Sequence, residues 1–560
     1  MIEPSASVDG PQAEIRPDPT ARSGDIPRSQ RRVFAAFAGG GAKGLVHVGA
    51  LAALEARYVR IVGFAGTSAG AIVAALAAAG FTADEIIHPR EHQSILDRLQ
   101  QFDPTLRRPV DLFGPGGWAQ ILPYRWLGQF LTLPRLAALA AVAGLSAVFT
   151  AFFIARHGVG AAILAVLLWS VVLAVVSILA LSALAGLAQL HTFRSALSRL
   201  LSEKVFPDEP DRPVLMKDFN GRDRALLKIV AADLTHQRLE LFSCDTTEDV
   251  PVADAVAASI CLPVIFRAWP LDLSRYVDGG IVSNLPAWPF DEERQLDPEA
   301  ITVAFEIGTP LTPEAPPKPP SALGWVPALL GTALFGSRSL SMRAVGLSEL
   351  ITLRPTLSMM DFDLSPEDTR EELRNATAFA AAEIDRRLFA YPETYERACA
   401  QAVELTEIFL DTADVLAAPP RSGRVRVGAA LPIEKFRHSL RLRFGANFHD
   451  DPDQNVALPI EGSMVGETWT KKRQLFHMAP FPKRLDMSGD DRRALRRFFW
   501  RDLAWSLCVP ILGPDGEPRC VVTVDGSDRL RDTRETRAAF RGLAAEIRKI
   551  FTPIVWHLQE

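Results

Sequence analysis

The sequence predicts an α/β protein built on parallel strands, followed by a second unit of mixed strands and helices. Two observations carry this. Two strand–turn–helix units follow each other within residues 33–79, and the C-terminal third alternates apolar and polar residues before a closing helical stretch. At 560 residues the chain exceeds what one core holds, so several domains are expected.

The first unit opens with "VFAAFA" at 33–38 as a strand. The glycine loop Gly39-Gly40-Gly41-Ala42-Lys43-Gly44 follows, then a helix at 45–56. A short strand at 61–65 runs into Gly66-Thr67-Ser68-Ala69-Gly70, and a second helix continues to 79. This turn fits the G-x-S-x-G nucleophile elbow, in which a strand bends sharply into a helix and presents a serine hydroxyl. Glycines two residues either side of Ser68 let strand and helix pass, and the helix N-terminus favours developing negative charge.

The glycine loop has two readings on its own. It matches G-x-G-x-x-G, yet no carboxylate ends the second strand as a dinucleotide site requires. The other reading is an oxyanion hole, with N–H groups of Gly40 and Gly41 facing a tetrahedral intermediate. A serine also needs a base. The carboxylate set in a rigid turn is Asp278, in Asp278-Gly279-Gly280. His47 falls inside the first helix and reads as a packing or hydrogen-bonding residue, and His236 as a loop residue between strands.

Between these blocks lie two uncharged runs of twenty (136–155) and thirty-two (159–190) residues, separated by "RHG". About 20 helical residues cross a hydrocarbon core about 30 Å thick, so residues 134–192 are expected to form a transmembrane hairpin. Arg107, Arg108, Arg125 and Arg135 precede it and Arg194, Arg199 and Lys204 follow it, which puts both long ends on the cytoplasmic side.

Composition narrows the rest. A net charge of −5 offers no footprint for nucleic acid. Five cysteines, an odd number without metal spacing, fit a reducing compartment. Residues 1–32 read as a disordered tail without the apolar core of a secretory signal. Residues 321–344, after "TPEAPPKPP", read either as an interfacial segment carrying Trp325, Leu329, Leu330 and Phe335 or as a helix packed on the sheet.

Taken in order, the glycine loop, the Ser68 turn and the Asp278 turn resemble the patatin-like phospholipase family. Between them "KIVAADLTHQRLELFS" and the segment with Ala258, Ser259 and Pro263 are similar to the family's middle strands and its Ala-Ser-x-x-x-Pro block; Asn284 and Pro286 also match. The resemblance covers about 33–389, with the hairpin inserted. It implies a three-layer α/β/α catalytic domain (33–395) and a Ser–Asp dyad: Ser68 attacks an ester carbonyl and Asp278 accepts or relays its proton. Gly39, Gly40, Gly41, Lys43 and Gly44 supply the oxyanion loop. Gly66, Thr67, Ala69 and Gly70 form the elbow, and Gly279 and Gly280 complete the aspartate turn. Lys43 stands where many members carry arginine, so fork-like hydrogen bonding is lost there. No cofactor and no metal are expected.

Residues 396–420 read as a helical linker ending at Pro419-Pro420. Beyond it "RVRVGAALPI" and "LRLRFGANF" alternate as strands, 505–526 forms a hairpin turning at Gly513-Pro514-Asp515-Gly516, and a helix runs from about 532 to 558. Gly462, Gly466, Ser506, the run Val509-Pro510-Ile511, and residues 521–525 resemble a GAF domain, an α/β sensor module, over 421–560.

The expected protein is a membrane-anchored serine lipid acyl hydrolase of the phospholipase A or lysophospholipase type. Its substrate and anchor are membrane phospholipids, its location is a bacterial inner membrane with catalytic and C-terminal domains in the cytoplasm, and its C-terminal domain takes an unknown small ligand. Homodimerisation is left open. The alternatives are another esterase or an acyltransferase, and a non-catalytic membrane receptor.

Overall fold

The computed structural model describes residues 31–88, 94–113, scattered helical positions between 146 and 174, 188–263, 265–297, 300–308, 332, 348–357, 361, 364–433, 436–448, 457–481, 500 and 502–557. The expected tail, most of the 134–192 hairpin and nearly all of 321–344 lie outside the described residues. Among the described residues no helix is long and apolar enough to cross a membrane.

Two compact units divide the chain between Asp385 and Arg386. The first is a mixed α/β unit around an eight-stranded sheet. Its strands are β1 (Arg32–Phe37), β2 (Arg60–Thr67), β3 (Leu226–Asp233), β4 (Arg238–Phe242), β5 (Trp269–Leu271), β6 (Ser274–Asp278), β7 (Ile301–Ile307) and β8 (Ser348–Leu353). Their order is β5-β6-β3-β2-β1-β7-β8, with β4 also paired to β3. The β3-β2-β1-β7-β8 core is parallel, while β4 and β6 run antiparallel to β3 and β5 antiparallel to β6.

Central strands buried on both faces read as continuous apolar runs, and "VFAAF" in β1 is one. On one face Phe34, Ala36, Ala38 and Ala65 pack against Leu285, Ala287 and Phe290, with the Phe34 and Phe290 rings stacked 4.4 Å apart. Helix α1 (Val46–Glu55) is apolar on nearly every side because it is buried on nearly every side. The loop expected at 39–44 partly coils into a 3-10 turn, Gly41–Leu45, ahead of it.

Register positions the site before any side chain is considered. Phe37 lies opposite Gly66, and Gly66 opposite Ile229. Two residues further along β3, Ala231 lies opposite Asp278, so the residue two beyond Gly66, Ser68, arrives at the level of that aspartate. Chain order reverses between β1 and β7, and the glycine loop leaves β1 at this switch point, where open α/β sheets place their ligands.

The second unit is built on a six-stranded sheet in the order β11-β10-β9-β14-β13-β12. These strands are β9 (Val425–Ile433), β10 (Phe436–Ala446), β11 (Ala457–Pro459), β12 (Leu475–Met478), β13 (Trp505–Leu512) and β14 (Pro518–Gly526). Every pairing in it is antiparallel. Residues 396–420 were expected as a helical linker. Most of it belongs to a helix, Tyr391–Thr412, whose Tyr395, Ala398, Cys399, Ala402, Val403 and Leu410 form one core with Trp505, Phe540 and Phe551. An amphipathic helix with this much apolar surface is stabilised by packing, and the sheet supplies the partner.

Candidate active site

Ser68 sits between β2 and helix α2 (Ala69–Ala78) with φ 53° and ψ −128°. A non-glycine residue held there stores about 1–3 kcal/mol of backbone strain, sustained only if its surroundings fix it. They do. A Cβ on Gly70 would stand 2.6 Å from the Phe37 carbonyl carbon, and one on Gly66 would stand 2.5 Å from the Ala71 Cα. Strand and helix therefore cross in contact on both sides of the serine. The Thr67 hydroxyl donates to the Ser283 carbonyl at 2.9 Å, and the Ser68 N–H donates to the Ser259 hydroxyl at 2.9 Å.

Asp278, the last residue of β6, is 1% exposed. Its Oδ2 accepts the Ser68 Oγ–H at 2.6 Å and its Oδ1 accepts the Gly280 N–H at 2.7 Å. Burial pushes the carboxyl from its ordinary 3.8 up to about 6, against the two hydrogen bonds, which favour the ionised form. Among the described residues Asp278 is the side chain bonded to the Ser68 hydroxyl; no histidine is.

The glycine loop runs beside the pair. A Cβ on Gly39 would lie 3.0 Å from the Ser68 Cβ. Asn284 holds the loop from the aspartate side: its carbonyl accepts the Gly39 N–H at 3.0 Å and its Nδ2 donates to the Gly39 carbonyl at 3.5 Å. The Gly39 N–H is engaged and does not serve an oxyanion. The N–H groups of Gly40 and Gly41 enter none of the turn and loop hydrogen bonds among the described residues, and Gly41 adopts φ 59°. Lys43 and Gly44 belong to the 3-10 turn, Gly44 packed on Ala69 and Lys43 half-buried.

The two histidines considered earlier stand apart from this pair. His47 is fully buried, its Nε2 2.8 Å from the Ala38 carbonyl, and burial lowers it to about 4, so the ring is neutral. His236 lies in the β3–β4 turn with Nδ1 2.7 Å from the Asp233 carboxylate. Sequence reading named Ser259 and Asn284 as motif positions without giving them roles. The signal was their place in the Ala-Ser-x-x-x-Pro block and after Asp278; their partners became visible only in three dimensions.

A buried hydroxyl on a carboxylate of raised basicity, at a helix N-terminus and beside the glycine loop whose Gly40 and Gly41 N–H groups enter no turn or loop hydrogen bond among the described residues, is suited to acyl transfer through serine. Comparison with known proteins agrees. Residues 35–291 match the family model described as patatin-like phospholipase. The chain is 25% identical over 281 residues to the uncharacterized protein YqhO of Bacillus subtilis, covering 48% of this chain and 70% of that protein. It is 40% identical over 78 residues to the uncharacterized NTE family protein Rv1063c of Mycobacterium tuberculosis, covering 14% of this chain and 21% of that one. Among solved structures, VipD from Legionella pneumophila aligns with 17% identity and a TM-score of 0.31, over 69% of this chain and 77% of that one. The match over residues 35–291 supports the enzyme class of a lipid ester hydrolase.

Proposed function

We propose that the chain is a membrane-anchored serine lipid acyl hydrolase, of the phospholipase A or lysophospholipase type, working through a Ser68–Asp278 dyad in a three-layer α/β/α domain. The observation that carries this is the 2.6 Å hydrogen bond from Ser68 Oγ to a carboxylate 1% exposed. Asp278 takes the hydroxyl proton as Oγ attacks the ester carbonyl, and Gly40 and Gly41 N–H groups with the α2 N-terminus stabilise the oxyanion. Asp278 then returns the proton to the leaving alcohol and later deprotonates the water that releases the fatty acid. A carboxyl at about 6 is a better base than an ordinary aspartate, and it is still ionised at neutral pH. An acyl chain filling the site would keep water from the pair.

Anchoring rests on the two uncharged runs of 136–190 and on their cationic flanks. Between 146 and 174 the described positions other than Gly158 are helical, and Phe152, Leu167, Leu168 and Val171 are each more than half exposed. Side chains of this kind belong against lipid. Both long ends then face the cytoplasm and the catalytic domain works on the adjacent leaflet. The C-terminal unit, read as GAF-like, binds a small ligand and regulates the hydrolase.

A fluorophosphonate probe and phospholipid vesicles test the reading. Probe labelling and fatty-acid release that both disappear in Ser68→Ala support it. A folded protein that neither labels nor releases fatty acid favours the non-catalytic receptor.

A further inference from the structure

The nucleophile and its base come from elements far apart in the chain, yet they meet at 2.6 Å. One helix end reaches both. Helix α3 (His191–Val205) precedes α4 (Val252–Ser259) along the chain, and α4 ends at the site. The hydroxyl of Ser259 donates to the Val230 carbonyl at 2.6 Å, which turns a lone pair toward Ser68, whose N–H it accepts at 2.9 Å. The Ser259 carbonyl accepts the Gly279 N–H at 3.3 Å, and the carbonyl of Cys261, two residues on, accepts the Asp278 N–H at 2.9 Å. Ser259 is 0% exposed, so no water substitutes for its hydroxyl.

We propose that Ser259 is a positioning residue for the nucleophile: its hydroxyl clamps the strained Ser68 backbone to β3 while the same helix end holds the backbone of Asp278 and Gly279. The inference rests on the Ser68–Asp278 reading and deepens it. With the Ser68 N–H committed to Ser259, the oxyanion is left to donors elsewhere, Gly40 and Gly41 among them. The hydroxyl of Ser259 also fixes the direction in which Oγ leaves the elbow. Without it the Ser68 N–H and the Val230 carbonyl lose a buried partner, and the serine is free to relax from φ 53°. A nucleophile displaced by a fraction of an ångström loses rate at the chemical step and leaves lipid binding alone, because Ser259 is fully buried with its hydroxyl committed to Val230 and Ser68.

The test measures fluorophosphonate labelling of the full chain in detergent against probe concentration and pH, for wild type, Ser68→Ala, Ser259→Ala and Ser259→Thr. Wild type labels and Ser68→Ala does not; if wild type does not label, the dyad reading itself falls and Ser259 with it. With the dyad standing, Ser259→Ala is expected to lower the maximal labelling rate about tenfold to a hundredfold. Its half-saturating concentration and its pH midpoint near 6 should stay where they are, and Ser259→Thr, which keeps a hydroxyl, should recover most of the rate. A wild-type maximal rate in Ser259→Ala with only a lowered melting temperature would reduce Ser259 to a packing residue. Equal slowness in folded Ser259→Thr would remove the hydroxyl from the account. Should Ser259→Ala not fold, Ser259→Cys, which keeps the volume but accepts weakly, takes its place under the same criteria.

Discussion

Asp278→Asn separates what the carboxylate does for catalysis from what it does to stability. Moving a carboxyl from 3.8 to about 6 corresponds to about 3 kcal/mol, at about 1.4 kcal/mol per pKa unit. The sign follows from proton counting. Between about pH 4 and 6 the folded protein retains a proton that the unfolded chain has released, so stability falls as pH rises through this window. Above about 6 the ionised, buried carboxylate is a standing destabilisation of about that size. Asparagine is neutral and near-isosteric, and its oxygen still accepts the Gly280 N–H. The variant should match wild type near pH 4 and become progressively more stable toward pH 8. At roughly 2 °C per kcal/mol for a unit of this size, the gap in melting temperature at pH 8 is about 6 °C. Fluorophosphonate labelling of the same samples should drop by at least about a hundredfold. A gap that stays flat from pH 4 to 8, or an asparagine variant less stable at pH 8, would refute the burial argument. Labelling at the wild-type rate would remove Asp278 from the mechanism.

Three further outcomes are expected. Ser68→Gly should be inactive yet about 1–2 kcal/mol more stable than Ser68→Ala, because glycine accepts φ 53° without strain; thermal melting of the two variants compares them. His47→Gln keeps a donor for the Ala38 carbonyl and loses the titration. His47 is lowered from 6.5 to about 4, so the stability it confers is complete above 6.5 and lost as pH falls toward 4. The variant should therefore resist acid better than wild type by about 3 kcal/mol near pH 4, read from melting temperatures across that range. Replacing 134–187 by a short Gly/Ser linker, which keeps the buried Ala188 and the helix from His191, should move the protein from the membrane fraction to the supernatant with labelling of Ser68 retained; persistence in washed membranes would dismiss the hairpin as the anchor.

What could be read from the sequence was whatever depends on local chemistry. Glycines flanking Ser68 announced the elbow because no side chain fits where strand and helix cross, and that constraint is written within five residues. Strands β1, β2, β9 and β10 were visible as apolar or alternating runs for the same reason. What stayed hidden depends on partners remote in the chain. That Gly39 gives its N–H to Asn284 rather than to an oxyanion is decided 245 positions away. The helix Tyr391–Thr412 was legible as a helix, but its packing partner was not, because the sheet that covers its apolar face begins only at Val425.

The two buried titratable groups beside the glycine loop pull against each other. Asp278 favours the folded state more as pH falls from 6 to 4, and His47 favours it less from 6.5 to 4, by comparable amounts. The two contributions nearly cancel across this window, although each group alone tilts stability by about 3 kcal/mol. A carboxylate dry enough to act as a base at neutral pH is necessarily one that weakens the fold there. The neutral His47, also buried and bonded to the residue before the loop, confers its full stability in the range where the ionised aspartate is needed. Single substitutions at the two positions should therefore tilt the pH–stability profile in opposite directions, and the double variant should return it to the wild-type shape with no activity left.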